Sequence, residues 1–199
     1  MKKTKDGVLK RAIVTPDKHA PIHDKPAISV VKQAIELVKP EIYVDLGDLG
    51  EFGSVSHWQW KRKKKPPLEY IMPKVYKYHP PGEYLKIGKL YFYHGHHFGG
   101  QYHAANHLRK LGANIIYGHH HSLQQDSVTY MDGPKSAWSL GCLKDMSSEK
   151  NAWLGGRQHK WAHAFAIIDY YKGGKFTVDI VQIIDGKAAV WGKLLDGNK

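Results

Sequence analysis

Cysteine is almost missing from this chain, in which Cys142 is the only thiol among 199 residues. One thiol cannot close an internal disulfide, which excludes the disulfide-rich secreted scaffolds, and we expect Cys142 to be a small buried side chain. Long hydrophobic runs are missing as well. The first apolar run, residues 12–14, is far too short for the core of a signal peptide, and no later run could cross a membrane. The sequence therefore predicts a soluble, cytoplasmic protein.

Acidic residues are scarce: 18 aspartates and glutamates face 30 lysines and arginines, giving a formal net charge of +12. A positive field of this kind attracts polyanions such as nucleic acid and phosphorylated substrates. Part of the charge is the basic run of residues 61–65, which follows Trp58 and Trp60. This stretch either stacks bases and holds phosphates, with Lys63 as a candidate substrate-binding residue, or is a solvated basic loop.

Hydrophobic periodicity predicts a strand, a helix and a second strand near the start of the chain. The first strand covers residues 12–15, the helix has Asp24 as its N-cap and Pro26 in its first turn, and the second strand covers residues 41–46. A right-handed parallel crossover places the carboxyl ends of both strands at one edge of the sheet, where open α/β sheets bind ligands. The residues that follow these strands, and should therefore be neighbours, are Asp17, His19 and Asp48.

The rest of the chain is predicted to be rich in strands. Residues 84–87 and 90–93 form a hairpin that leads into His94, and a helix over residues 101–111 precedes a strand over residues 114–117. Five further strands are predicted over residues 127–131, 135–140, 164–170, 176–184 and 188–191. We expect these C-terminal strands to form a second, largely antiparallel sheet packed on the first, all within one domain spanning residues 1–199.

Four short polar clusters follow predicted strands in chain order. They are Asp17-Lys18-His19, Gly47-Asp48, His94-Gly95-His96 and Gly118-His119-His120-His121. Carboxylate oxygens and imidazole nitrogens are ligands for divalent ions, and scattered histidines would not repeatedly select the ends of strands. The clusters therefore predict a metal site and metal-assisted hydrolysis. These ligand types accept manganese, iron, zinc, nickel or magnesium and do not distinguish among them.

In this order, Asp-x-His, Gly-Asp, an isolated His and Gly-His-x-His resemble the calcineurin-like metallophosphoesterase family over residues 14–121. The resemblance implies an α/β fold in which a two-sheet β-sandwich is flanked by helices, in the order αββα. It also implies two divalent ions and hydrolysis of a phosphomonoester or phosphodiester by a metal-bound hydroxide. The positive charge of the chain adds nucleic acid or a nucleotide as a candidate substrate. The implied ligands of the first ion are Asp17, His19, Asp48 and His121, and those of the second are Asp48, His94 and His119.

One motif of that family, Gly-Asn-His-Asp/Glu, is not found between Asp48 and His94, a stretch without any asparagine. In the family its Asn binds the second ion and its His protonates the leaving alkoxide, so its loss should weaken both metal occupancy and turnover. The gap falls near residues 74–78, and either the chain lacks this unit or the sequence omits it. The candidates for the missing proton donor are His96, which we take as catalytic, its neighbour His97, and the more distant His57 and His79.

Two other functions stay open at this point. A catalytically weakened family member could keep the fold and one ion, and act as a nucleic-acid or protein-binding module. A nuclease of unrelated type, built on the histidine-rich residues 94–107, is a third hypothesis, but it leaves Asp17, His19 and Asp48 without a role.

Two more groups of polar side chains are singled out by their positions. On the predicted second helix, His103 and His107 are four residues apart, and we expect a solvated face, with joint metal binding as the alternative. Arg157 lies in a loop before a predicted strand and is our second candidate for substrate binding, after Lys63. The ring-bearing residues of the same loop that would line the cleft with it are His159, Trp161 and His163.

Overall fold

The computed structural model describes residues 10–49, 79 and 82–199. It begins with the predicted crossover: β1 (Lys10–Thr15), α1 (Lys25–Val38) and β2 (Ile42–Asp45), with β1 and β2 paired in parallel. The Asp24 carboxylate caps α1 by accepting a hydrogen bond from the Ala27 N–H at 2.7 Å. The prediction for this part of the chain is therefore confirmed, with element ends shifted by one or two residues.

The second sheet begins with the predicted hairpin of β3 (Leu85–Ile87) and β4 (Leu90–Tyr93). After it come α2 (His103–Leu111), which ends at Gly112 in the left-handed conformation, and β5 (Ile115–Tyr117), parallel to β4. Two long antiparallel strands, β6 (Leu123–Tyr130) and β7 (Gly133–Leu140), complete this sheet, whose strand order is β3-β4-β5-β7-β6.

The remaining strands are β8 (His163–Tyr170), β9 (Phe176–Ile183), β10 (Lys187–Val190) and β11 (Lys193–Asp196). They do not form a sheet of their own, so that expectation was wrong. β8 pairs antiparallel with β1, giving the first sheet the order β2-β1-β8-β9, while β10 and β11 form a separate hairpin. The reason is that β1 is buried on both faces and needs a strand at each edge, which β8, itself almost wholly buried, provides.

Three hydrophobic clusters define the layers. One, which includes Val14, Phe92 and Ile168, lies between the two sheets. A second fills the space between the first sheet, α1 and the β10–β11 hairpin, and a third lies between the second sheet and α2. The order is thus α1, first sheet, second sheet, α2. The α/β fold class, a two-sheet β-sandwich flanked by helices and rich in strands toward the C-terminus, is confirmed.

Several smaller predictions can also be compared with the structure. Cys142 is buried, as expected. Within residues 10–49 and 82–199, none of the helices is long and apolar enough to cross a membrane. Lys63, His57, the basic run and the gap near residues 74–78 lie outside the described residues. The organisation of residues 1–199 as one domain stays a prediction.

Candidate metal centre

The six predicted ligands are brought together by two parallel strand pairs. β1 and β2 run in parallel in the first sheet, and β4 and β5 run in parallel in the second. Each pair therefore ends at the same edge of its sheet, and the two edges meet because the sheets pack face to face. The ligand candidates follow these strands: Asp17 and His19 after β1, Asp48 after β2, His94 after β4, and His119 and His121 after β5.

Asp17, His19 and His121 form the first group, in which one potential ligand atom of each residue lies within 4.8 Å of the others. The Nε2 atoms of the two histidines are 3.1 Å apart, and their rings are nearly perpendicular at 82°. Two nitrogens on one tetrahedral ion, each at about 2.0–2.1 Å, would be separated by roughly 3.3 Å. The spacing of the two imidazoles is therefore compatible with their binding one cation.

Asp48, His94 and His119 form the second group by the same criterion. His94 Nε2 lies 3.0 Å from His119 Nδ1. The Nδ1–H of His94 donates to the Leu46 carbonyl at 3.2 Å, which points Nε2 into the group. Asp48 Oδ2 lies 3.4 Å from His94 Nε2 and 3.8 Å from His19 Nε2. This oxygen is thus between the two groups, where a bridging carboxylate has to be.

Asp17 shows most directly that the residues fit a cation. Its side chain is fully buried, and Oδ1 has no hydrogen-bond partner among the described residues, while Oδ2 accepts from the His119 N–H at 2.7 Å. Burial raises the pKa of Asp17 to about 8, against the opposing charge of His94. His94 Nδ1 lies 3.4 Å from Oδ1, but it donates to the Leu46 carbonyl. A buried carboxylate oxygen without a hydrogen bond is costly, and a divalent ion in contact with it would offset that cost.

Three of the other ligands have pKa values that favour the metal-binding form, and His94 is the exception. Burial lowers the pKa of His94, but its hydrogen bond with Asp48 and the charges of Asp17 and Asp48 outweigh burial and raise it, so His94 has to lose a proton when a cation binds. Burial alone would raise the pKa of Asp48, but the hydrogen bond and charge of His94, helped by His19 and His119, bring it to about 2. Burial lowers the pKa of His119 to about 4 and that of His121 to about 3. At neutral pH these groups are an ionised carboxylate and neutral imidazoles, as metal binding requires.

Several candidate ligands have strained backbone angles, and the free-energy cost has to be offset by other interactions in the fold. Four of the six candidates are non-glycine residues with positive φ: His19 at 53°, Asp48 at 43°, His119 at 66° and His121 at 59°. Such conformations cost on the order of 1–3 kcal/mol each and concentrate at functional sites. The His19 N–H donates a backbone hydrogen bond of 2.8 Å to the Asp48 carbonyl. This bond holds the loops after β1 and β2 together.

The candidate proton donors differ in their position relative to the second group. The exposed ring of His96 has its centroid 5.9 Å from that of His94 and 6.4 Å from that of His119. Burial, followed by the charges of His97 and His94, lowers its pKa. His97 Nδ1 is hydrogen-bonded with the Tyr84 hydroxyl at 3.0 Å, and His79 contacts Glu83 at 3.7 Å. The structure thus places His96 beside the second group.

An aromatic surface adjoins the first group. The ring of Trp161 meets that of His121 edge to face at 4.8 Å, and His159 stacks on Trp161 at 4.5 Å. Trp153, 64% exposed, lies 6.1 Å from Trp161 between ring centroids. Arg157 belongs to the same loop, is exposed, and donates a hydrogen bond from Nε to the Leu154 carbonyl. Its role in substrate binding stays a prediction.

His163 and the two helix histidines are placed differently from what the sequence suggested. His163 is buried and its Nε2 bonds the Lys144 carbonyl at 2.8 Å, so it does not belong to the exposed aromatic surface. His103 and His107 are only 3% and 0% exposed, so the expected solvated face was wrong. They share the buried face of α2 with Ala104 and Leu108, a pattern of positions i, i+1, i+4 and i+5 that could have revealed it.

Comparison with known proteins gives similarities of structure and none of sequence. No family model matches the chain, and no curated protein matches it. One similar solved structure is Vps29 from Chaetomium thermophilum, with 15% identity, 94% of this chain and 96% of that chain covered, and a TM-score of 0.49. Another is YfcE, a phosphoesterase from E. coli, with 13% identity, coverage of 85% and 98%, and a TM-score of 0.44. The functional proposal therefore depends on the residues of this chain.

Proposed function

We propose that this protein is a metal-dependent phosphoesterase of the calcineurin-like type that hydrolyses a phosphomonoester or phosphodiester. The observation that carries the proposal is the position of Asp48 Oδ2, 3.4 Å from one group of ligand candidates and 3.8 Å from the other. Two divalent ions held here would supply Lewis acidity toward phosphate oxygens and toward water. Manganese, iron, zinc, nickel and magnesium are all compatible with the ligands.

In this proposal the chain's own residues hold and orient the site. Asp17, His19 and His121 hold the first ion, and His94 and His119 the second, with Asp48 shared between them. The His119 N–H fixes the Asp17 carboxylate, and the Leu46 carbonyl fixes the His94 ring, so neither ligand has to reorganise when substrate binds. The fixed positions favour in-line geometry at phosphorus because they restrict where the phosphate oxygens can lie.

His96 is the proposed proton donor to the leaving oxygen, in place of the family's missing histidine. Its ring is exposed and lies beside His94 and His119, at the second group of ligand candidates. General acid catalysis is commonly worth about 100- to 10,000-fold. Because the pKa of His96 is lowered, only a small fraction of this side chain is protonated at neutral pH. Such a donor would make the enzyme slow without abolishing turnover.

The proposal is tested by metal removal and re-addition. We expect metal-stripped protein to show no turnover of paired chromogenic phosphomonoester and phosphodiester substrates, and added manganese to restore it. Elemental analysis of the same samples counts the bound ions, and the better ester indicates the substrate class. Lack of turnover in protein that has bound manganese would contradict the proposal and leave the binding-module hypothesis.

One observation favours nucleic acid or a nucleotide as the ligand, whether or not it is cleaved. Trp161, His159 and Trp153 form an aromatic surface next to His121, and the chain carries a net charge of +12. Bases stack on aromatic side chains, while the positive field attracts the phosphates. We propose that a base adjoining the scissile phosphate stacks on Trp161. A cytoplasmic location, where such ligands are available, stays a prediction.

Replacing Trp161 with alanine is expected to weaken binding of a short single-stranded oligonucleotide by roughly 5- to 150-fold, because stacking contributes about 1–3 kcal/mol per base. Affinity is measured in an Asp48→Asn background to prevent turnover, and polyphosphate serves as a polyanion without bases. Trp191→Ala is the matched control, since Trp191 is 49% exposed and packs on Arg11 at the opposite end of β1. Equal weakening of both ligands by Trp161→Ala would argue against stacking.

A further inference from the structure

A second cluster of imidazoles lies outside the six candidate ligands. His103 and His107, on α2, and His120, on the loop after β5, each present a potential ligand atom, and these atoms lie within 4.8 Å of one another. We propose that these three residues form a further binding site for a borderline divalent cation, and specifically for zinc. The site is separate from the phosphoesterase centre because it shares no ligand with it.

The hydrogen bonds of His107 and His120 each engage one ring nitrogen, and the Gly95 carbonyl also acts on both rings. His107 Nδ1–H donates to the His103 carbonyl at 2.7 Å, and His120 Nε2–H donates to the Phe98 carbonyl at 2.9 Å. The lone pairs are then on His107 Nε2 and His120 Nδ1. Metal-binding histidines characteristically donate their other ring N–H to a backbone carbonyl or a carboxylate, which fixes the tautomer and the ring orientation.

Both ring nitrogens of His103 face hydroxyl groups. Nδ1 lies 2.7 Å from the Tyr117 hydroxyl, and Nε2 lies 2.9 Å from the Ser122 hydroxyl. In the tautomer that can bind a cation on the side of the cluster, Nδ1–H donates to Tyr117 and the Nε2 lone pair accepts from the Ser122 hydroxyl. This hydroxyl can rotate to a new partner when a cation takes its place.

His107 gives the independent sign that a ligand belongs here. The residue is 0% exposed, and its Nε2 has no hydrogen-bond partner among the described residues. Burial lowers the pKa of both His103 and His107 to about 4, while the carbonyls of His103 and Gly95 act on His107 in the opposite direction. A buried neutral imidazole with an unused lone pair is costly, and cation binding satisfies it.

The donor set selects the cation. Three imidazoles without a carboxylate favour zinc and similar borderline ions over magnesium or calcium. The spacing of four residues between His103 and His107 on α2 also matches the way helices present two imidazoles to one zinc. The rings of His103 and His120 stack at 4.1 Å and 17°. Because an ion lies in the plane of each ligand ring, zinc binding requires one of these two rings to turn out of the stack. His120 is the less buried of the two, so we expect its ring to turn about the hydrogen bond with the Phe98 carbonyl.

The test is zinc stoichiometry. Metal-stripped protein is equilibrated with zinc, passed over a desalting column and analysed for metal. We expect wild type to hold one zinc per chain more than His107→Phe, whose ring can keep the stacking on Tyr117 at 3.9 Å between centroids. Asp48→Asn serves as the comparison, since it should reduce binding at the other centre and keep this zinc. Manganese-dependent phosphoesterase turnover in His107→Phe should stay at the wild-type level.

Equal zinc content in wild type and His107→Phe would overturn the site. A second measurement on wild type does not depend on how the variant folds: nitrogen-15 NMR of the histidine rings during a zinc titration. We expect the Nε2 resonance of His107 and the Nδ1 resonance of His120 to shift as zinc binds. Saturation of the protein with zinc while both resonances stay in place would overturn the proposal, whatever the fate of the phosphoesterase activity.

Discussion

Changing Asp48 to asparagine is expected to lower kcat/KM for a phosphate ester by roughly 1,000-fold or more. Lewis-acid stabilisation of the transition state is worth several kcal/mol, and each 1.4 kcal/mol corresponds to about tenfold in rate. Asp48 Oδ2 lies 3.4 Å from His94 Nε2 and 3.8 Å from His19 Nε2, so in the proposed site a neutral amide there would weaken binding of both ions. The measurement is turnover at saturating manganese, with bound metal counted by elemental analysis.

The control for this prediction is Asp132→Asn, an exposed aspartate that pairs with Lys135 in the β6–β7 turn. It should leave turnover and metal content unchanged. Because the Asp48 side chain is itself 45% exposed, the Asp48→Asn protein should fold normally and unfold near the wild-type temperature. Activity within tenfold of wild type in a correctly folded, metal-loaded Asp48→Asn protein would exclude a bridging role for this residue.

His96 gives a contrast within the same assay. His96→Asn should slow esters of alkyl alcohols by about 100-fold or more, since the leaving alkoxide needs a proton. The same change should hardly affect nitrophenyl esters, whose leaving group is stable without protonation. A loss of equal size for both leaving groups would instead indicate that His96 positions the substrate.

The grouping of the candidate ligands could be predicted because it depends on short stretches of sequence. Each ligand cluster directly follows a strand that periodicity reveals, and the handedness of the crossover then fixes which strand ends meet. Asp17, His19 and Asp48 could therefore be placed together without knowing the rest of the fold. The positive φ angles of His19 and Asp48 could not be foreseen, because neither residue type requires that conformation.

Strand pairing in the C-terminal half was beyond such reasoning because it is non-local. β8 has an almost continuous buried pattern, which indicates that both of its faces are covered but does not identify its neighbours. Its partner β1 is more than 140 residues away along the chain, roughly the full length of the fold. β11, with two exposed residues out of four, has too weak a pattern to be recognised without its hairpin partner β10.

The burial of His103 and His107 was missed for a chemical reason. Histidine counts as polar in hydropathy patterns, so two histidines on a helix were assigned to solvent. In the structure their rings stack on His120 and Tyr117 and make α2 amphipathic in spite of their polarity. These contacts come from the loop and strand after α2, and become visible only when the chain has folded back on itself.

Replacing Gly118 with alanine, which adds one methyl group, is expected to reduce stability, metal binding and turnover. A Cβ at this position would collide with Asp17 Oδ2, a contact far shorter than side chains tolerate. Asp17 cannot simply move aside, because it is fully buried and Oδ2 is bonded to the His119 N–H. We expect Gly118→Ala to lose about 1–3 kcal/mol of stability, about 2–4 °C in Tm for each kcal/mol, together with the ion of the first group. Turnover should fall as far as in Asp48→Asn.

Gly99→Ala is the matched control, because neither glycine has a positive φ and an added Cβ at Gly99 meets only His120 Cε1 at an ordinary 3.7 Å. The three measurements are thermal unfolding, metal content and kcat/KM for both variants. Since Gly118 offers no side chain to substrate or metal, any loss specific to Gly118→Ala has to act through the position of Asp17. If Gly118→Ala kept its full complement of ions and its turnover, Asp17 would be a buried structural acid, and the first group would lack a carboxylate of its own.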